Sequence, residues 1–329
     1  MKIGLWSAAA VAALSVAAVG AKDLRADTVE LTFASAYAAD DHQSMSVEEF
    51  ARLAEEYSDG RLSIDVAVGG VLGGERDVAE SIQLGTVDGA VLGGILQNFD
   101  PAMAILEFPF LFRDEEHVRT VMDGEIGDRI RDQLVETTDI RPLTYIMRTS
   151  RQLTTNEPVE SLEDIQGMNI RVPEMQAHLE TWSALGANPT PLAFTEVYTA
   201  LQLGTVDGQE NPLGVIHANR FHEVVDYLAL TDHLVGFMLI VMNNDTYEGL
   251  DPEVQEAIDR AAAEASEYND EILAEQRAEW EEVLFDAMTV TRPDTQEWRE
   301  AAEGVHEGFL QHEGFEELYF AIQDAAEDR

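Results

Sequence analysis

Apolar and polar positions alternate over residues 29–36, and this period of two predicts a strand. The next stretch, 46–57, repeats its apolar residues every three to four positions and predicts an amphipathic helix; 61–68 alternates again as a second strand. Residues 76–82 return to the helical period, with Val78, Ala79 and Ile82 on one face. Further on, Ser161 followed by Asp164 resembles a capping box and predicts a helix start. Met168, Ile170 and Val172 share one face of a strand, which turns Arg171 to the opposite, exposed face just before Pro173. Asp251-Pro252 places proline at a first-turn position and opens a helical stretch to about residue 285. That length predicts either a kink or a helix spanning two lobes. Residues 294–329 predict one or two more helices, because Trp298, Val305, Phe309, Leu310 and Phe315 need burial. Strands alternating with helices over 329 residues predict α/β layers in about two domains.

One heptapeptide, Gln-Leu-Gly-Thr-Val-Asp-Gly, occurs twice, at 83–89 and 202–208. The first copy follows the helical stretch 76–82; the second follows Val197, Ala200 and Leu201 at helical spacing, with Thr195 as the expected N-cap. Gly85 and Gly204 suit the left-handed residue that ends a helix, and Val-Asp-Gly leads on to a strand or turn. The duplication predicts one helix–turn–strand unit in the same role in each lobe.

Composition narrows the function. Lys plus Arg is 20 and Asp plus Glu is 64, a formal charge of −44. Such a polyanion repels phosphate backbones and anionic headgroups, so nucleic acid and membrane surfaces are poor partners. Lysine is confined to Lys2 and Lys22 while arginine is kept, and this acidic surface resembles that of proteins from saline surroundings, where screening reduces self-repulsion. Cysteine is absent, which removes disulfides, thiolate catalysis and Cys-ligated metal sites. Lys2, the small apolar run 3–19 and Val19-Gly20-Ala21 have the layout of a cleaved secretory signal over 1–21, with Ala26 as a later cleavage point. The run is at the lower limit for a membrane span, and no later stretch reaches that length. The mature protein is expected to be exported, periplasmic and soluble.

Catalytic templates are missing: there is no Gly-x-Ser-x-Gly, no His-Glu-x-x-His and no phosphate-loop or dinucleotide fingerprint. The eight His residues are scattered without metal spacing, so no metal or cofactor is expected, and no enzyme. Anion recognition remains. Arg148, Arg151 and Arg171 fall close together in an acidic chain, and a buried Arg can grip a carboxylate through two parallel hydrogen bonds. On pattern alone, pairing with local Glu and Asp is the plainer reading of these arginines.

An ordered series of motifs then carries a family resemblance: Ile170-Arg171-Val172-Pro173, Leu185-Gly186-Ala187-Asn188-Pro189-Thr190-Pro191, Phe194-Thr195-Glu196-Val197-Tyr198 and Val206-Asp207-Gly208-Gln209-Glu210-Asn211-Pro212. With Leu72-Gly73-Gly74-Glu75-Arg76 and Phe108-Pro109-Phe110-Leu111-Phe112, the chain resembles the DctP-type solute-binding proteins of tripartite ATP-independent periplasmic (TRAP) transporters over nearly all its mature length. The resemblance implies an α/β, two-lobe periplasmic-binding-protein-like fold, with crossing segments and a long helix spanning the lobes. Lobe I is expected over 27–148 plus about 237–276, and lobe II over 149–236 plus about 277–329. It implies a small organic acid as ligand, a membrane permease as partner, and a monomer. By motif position it implies that Arg171 takes the ligand carboxylate, that Arg151 and Asn211 assist, that Phe194 packs on the ligand, and that Glu75 and His42 meet its distal end. Glu75 favours a ligand with hydroxyl or amine donors, such as a sugar acid or hydroxy acid. Two features depart from the pattern. Residues 90–94 lack the polar side chain that sialic-acid binders carry there, and Arg148 is an extra cation whose plainer role is an ion pair within its lobe. A sensor on the same fold, an exported enzyme, and a receptor for a zwitterionic or cationic osmolyte stay open as other readings.

Overall fold

The computed structural model describes residues 28–310 and 314–325; the expected signal peptide lies outside the described residues. The first sheet contains β1 (Val29–Ala34), β2 (Leu62–Ala67), β3 (Gly89–Leu92) and β4 (Ile140–Met147), joined later by β10 (Phe237–Asn243). Its order is β2-β1-β3-β10-β4, with β1 parallel to β2 and β3, and β10 antiparallel to both its neighbours. The second sheet contains β5 (Arg151–Thr155), β6 (Asn169–Val172), β7 (Asn188–Pro191), β8 (Gly208–Pro212), β9 (Tyr227–Leu234) and β11 (Thr289–Thr291). Its order is β11-β9-β5-β8-β6-β7. The chain thus crosses between sheets through two short connections, 148–150 and 235–236. Every residue of β10 is buried, as its unbroken apolar run Phe237–Met242 requires of a central strand.

Helices α1 (His42–Tyr57), α2 (Glu75–Gln83), α3 (Glu115–Met122), α4 (Glu125–Thr138), α5 (Gln176–Ala184), α6 (Val197–Gln202), α7 (Leu213–Ala218) and α8 (Asn244–Glu248) flank the sheets. The third crossing is α9 (Pro252–Ala287), a 36-residue helix opened by Pro252 as expected. Its alanines Ala257, Ala261, Ala262 and Ala265 are fully or nearly fully buried, and small side chains let α1 approach closely, with His42 and Ser46 both bonded to Asn269. Full burial of a side chain such as Phe50 contributes about 1.5–3 kcal/mol. Towards its other end α9 meets α7 and β11. The tail forms α10 (Gln296–Phe309) and α11 (Phe315–Ala325). Helix α10 packs on α5, whereas α11 packs on α3, α4 and the short helical segment Pro101–Glu107. The last residues, expected together with the second lobe, are therefore divided between both sides.

The repeated heptapeptide plays the same part twice. Helices α2 and α6 end at Gln83 and Gln202, and Gly85 and Gly204 take φ of 67° and 64°. Thr86 and Thr205 donate their amides back to Ser81 and Ala200, closing each helix end. Val87 and Val206 are buried. Asp88 and Asp207 then clip the neighbouring strand, each accepting a backbone amide, from Thr32 at 2.8 Å and from Asn169 at 2.7 Å. Gly89 and Gly208 admit no side chain: an added Cβ would sit 2.3 Å from the Phe33 ring and 2.4 Å from the Thr154 carbonyl oxygen. Each copy launches a strand, β3 or β8.

Several local expectations need correction. The first long helix starts four residues early, because the Asp41 side chain accepts the Gln43 amide and caps it. Thr195 is not an N-cap; it lies inside the helical turn Phe194–Glu196, and its methyl faces Gly70. The Ser161–Asp164 pair does form a capping box, but on the short 3-10 segment Leu162–Ile165.

Candidate functional site

Strands β3 and β8, placed by the two repeats, point their C-terminal ends into one space between the sheets. From the first side come Tyr37, Glu75 at the start of α2, Gly93 and Gly94 beyond β3, Glu107, Arg148 and Met238. From the second come Arg151, Arg171, Pro173, Met175, Phe194 and Asn211. They line one cleft between the lobes. The walls touch at the rim, where the Tyr37 and Phe194 rings lie 4.7 Å apart. Asn98 also donates its side-chain amide to the Glu174 carbonyl, and the Ala177 amide donates to the Gln97 side chain.

Of the residues expected here, Arg171, Arg151, Asn211, Phe194 and Glu75 line this space, and His42 does not. His42 opens α1 and faces α9: its Nδ1 lies 2.8 Å from Asn269 Oδ1 and its ring 5.8 Å from Trp280. Asn269 in turn donates to the Met147 carbonyl. His42 therefore ties the first lobe to the crossing helix.

Arg171 also differs from its expected surroundings. Strand phase does point it away from Ile170 and Val172, but the opposite lobe covers that face and leaves Arg171 2% exposed. Its Nε and Nη2 both donate to the Leu192 carbonyl, at 3.0 and 2.6 Å. Among the described residues no carboxylate lies within 4 Å of its guanidinium. Burial, with Arg151 adding to it against the pull of Glu210, brings its pKa down to about 10, so it stays charged at neutral pH.

Arg151 is already paired. Its Nε and Nη2 donate to the Glu210 carboxylate, and Nη2 also reaches the Glu210 carbonyl at 2.7 Å. Glu210 further meets His178 Nδ1 at 3.2 Å and His233 Nε2 at 3.1 Å. Burial alone would raise the Glu210 carboxyl, but Arg151 and then His178 outweigh it and hold it well below its ordinary value. The other His178 nitrogen, Nε2, lies 2.9 Å from Glu107. Facing a carboxylate at each nitrogen, the ring is held as an imidazolium: burial opposes this, yet Glu210 and Glu107 raise its pKa. His233 goes the other way, since burial dominates and lowers it. Glu107 also receives the Gly94 amide at 3.1 Å and Arg148 Nη2 at 3.2 Å. Burial would raise its pKa, but Arg148 and His178 bring it to about 2. The result is a buried ladder of alternating charge, Arg148–Glu107–His178–Glu210–Arg151, running from one lobe to the other.

Glu75 is only partly buried and accepts the Gly93 amide at 3.3 Å. Desolvation raises its pKa, Arg148 opposes, and Glu107 adds to the rise. Asn211 is buried and donates to Gln209. Sequence reasoning missed Tyr37, Glu107, His178, His233, Met175 and Met238. Glu107 had one visible signal, a lone acid inside the apolar run 102–112. Gly94 sits so close to it that an added Cβ would fall 1.8 Å from Glu107 Cγ.

Two α/β lobes joined by crossing segments and the long helix α9, with a charged cleft sealed by contacts between them, define a two-lobed solute-binding protein. The comparisons agree. The family model "Bacterial extracellular solute-binding protein, family 7" (DctP) matches residues 33–313, and the chain belongs to this family, the solute-binding proteins of TRAP transporters. It is 37% identical over 278 residues to a solute-binding protein of Roseobacter denitrificans, covering 84% of this chain and 83% of that one. It is 32% identical over 271 residues to the 2,3-diketo-L-gulonate-binding periplasmic protein YiaO of Escherichia coli, covering 81% and 80%. The crystal structure of a TRAP periplasmic solute-binding protein from Roseobacter denitrificans with bound L-galactonate superposes with a TM-score of 0.86. Its identity is 33%, with 91% of this chain and 99% of that chain covered.

Proposed function

We infer that the protein captures a sugar acid outside the cytoplasm by closing its two lobes, and delivers it to a TRAP permease without making or breaking bonds in it. The carrying observation is Arg171, a buried guanidinium in the cleft with no carboxylate within 4 Å among the described residues. A carboxylate can take its free edge, with Asn211 beside it as a second donor. Arg151 reads as a positioning residue, because Glu210 occupies its Nε and Nη2.

Charge supports a monoanion. Arg148, Arg151, Arg171 and the His178 imidazolium face Glu107, Glu210 and Glu75, which leaves one positive charge when Glu75 is ionised. A second carboxylate on the ligand would meet Glu75. The relatives named above bind L-galactonate and 2,3-diketo-L-gulonate, six-carbon acids with one carboxylate each. Phe194 offers a flat wall for the carbon chain. On this reading the acidic exterior plays no part in capture; the pocket carries its own local positive charge.

The test is a thermal-shift and calorimetric screen in high salt against aldonates, uronates and C4-dicarboxylates, run beside Arg171→Ala. A folded-state ligand raises the melting temperature by mass action. A shift with a sugar acid, lost in Arg171→Ala, is the expected result. A shift confined to dicarboxylates, or one that survives the substitution, overturns the reading.

A further inference from the structure

Arg148 holds a donor that no described residue takes up. It is the first residue after β4, and its amide bonds the Gly236 carbonyl where the two crossing connections pass. Its side chain is 4% exposed, yet among the described residues Nε has no partner. Among the described residues its side chain makes one bond, Nη2 to Glu107 Oε1, which at 3.2 Å is long for a charged pair. Glu107 does not depend on that bond alone, since Gly94 and His178 also satisfy it. A buried, unpartnered guanidinium nitrogen is costly unless something else occupies it. The fold reserves room for the group: an added Cβ on Gly236 would lie 3.0 Å from Nη2.

The guanidinium lines the cleft together with Glu75, on the lobe opposite Arg171. No Arg148 nitrogen comes within 4 Å of the Glu75 carboxylate, so the two do not neutralise each other directly. An oxygen that both accepts and donates could join them. A hydroxyl accepts from Arg148 and donates to Glu75; a methylene can do neither, and an ionised carboxylate cannot donate.

We propose that Arg148 is a specificity-determining residue, which with Glu75 selects a hydroxyl on the end of the ligand remote from the carboxylate. This rests on the sugar-acid reading and deepens it. The pair separates long polyhydroxy acids from short ones that engage only Arg171 and Asn211. It also gives Arg148 a role beyond an ion pair within its lobe.

The experiment is titration calorimetry of wild type, Arg148→Gln and Arg148→Lys. The ligands are D-erythronate, with four carbons, and whichever of L-galactonate and D-glucuronate binds wild type more tightly. Losing a charged hydrogen bond costs about tenfold to a hundredfold in affinity. Arg148→Gln should lose that factor for the six-carbon acid and under about threefold for D-erythronate. Arg148→Lys keeps a charge against Glu107 but lacks Nε, and should fall between for the six-carbon acid alone. It carries the test if Arg148→Gln does not fold, as ligand-free melting will show. Equal losses for both ligands, or no loss for either, overturn the role of Arg148 while leaving the sugar-acid reading intact. Failure of wild type to bind any of the three acids overturns that reading, and this inference with it.

Discussion

Arg151 and Arg171 use the same two nitrogens for different partners. Arg151 gives Nε and Nη2 to the Glu210 carboxylate, whereas Arg171 gives them to the Leu192 carbonyl. Both are buried on the second sheet, separated by β8, yet among the described residues only Arg151 pairs with a carboxylate. The strand between them explains this. Glu210 lies on β8 and is drawn to Arg151, His178 and His233, leaving Arg171 its charge.

Arg171→Lys should therefore separate charge from geometry. Lysine keeps the charge but cannot present two parallel donors. We expect sugar-acid affinity to fall about tenfold or more, with ligand-free melting changed by only a few degrees. Calorimetry checks this; full retention of affinity would show that charge alone suffices.

Glu210→Gln should be among the most damaging substitutions in the protein. It leaves Arg151 without its buried countercharge, and breaking a buried pair costs about 3–5 kcal/mol. Thermal or denaturant unfolding should show the loss without ligand present. A loss below about 1 kcal/mol would mean that water or relaxation replaces the carboxylate.

His42 and Glu75 should part company. His42 faces Asn269 and α9, so His42→Ala should lower the melting temperature by a few degrees and leave acid affinity within about threefold. Glu75→Ala should do the reverse, because Glu75 lines the cleft. Similar losses of affinity in both would restore His42 to the ligand site.

Gly70 tests closure. It has φ of 72°, and an added Cβ would lie 2.4 Å from the Thr195 methyl across the cleft. Gly70→Ala costs about 1 kcal/mol through backbone strain and also props the lobes apart. Affinity should drop about tenfold while ligand-free melting moves little. Unchanged affinity would mean that the rim yields without cost.

Acid should weaken the closed cleft. Glu107, at about 2, and Glu210, well below its ordinary value, contribute stability above the unfolded carboxyl range near 4.5. That contribution is lost as pH falls through their folded values. Glu75 and Asp41 are raised and act with the opposite sign, which makes the net acid limb shallower. Glu107→Gln should flatten the limb further in melting curves from about pH 6 to pH 2; an unchanged slope would remove Glu107 from it.

Local order was legible in the chain because it depends on neighbours in sequence. The repeat at 83–89 and 202–208 predicted two helix ends, and the structure adds that its aspartates clip adjacent strands and its final glycines admit close packing. Asp251-Pro252 marked the start of the crossing helix, since proline suits a first turn wherever it occurs. Family motifs located Arg171, Asn211, Phe194 and Glu75, which converge on the cleft although Glu75 and Asn211 lie more than a hundred residues apart. Which arginine stays unpaired could not be read from spacing. Glu210, 59 residues from Arg151, neutralises it only because β5 and β8 pair antiparallel. Glu107 and His178, 71 residues apart, meet only because the two lobes close on each other. His42 turned towards α9 for the same kind of reason, a partner 227 residues away. Sequence periodicity determines which residues can form an element; the balance of buried charge depends on long-range contacts and is decided only when those elements pack.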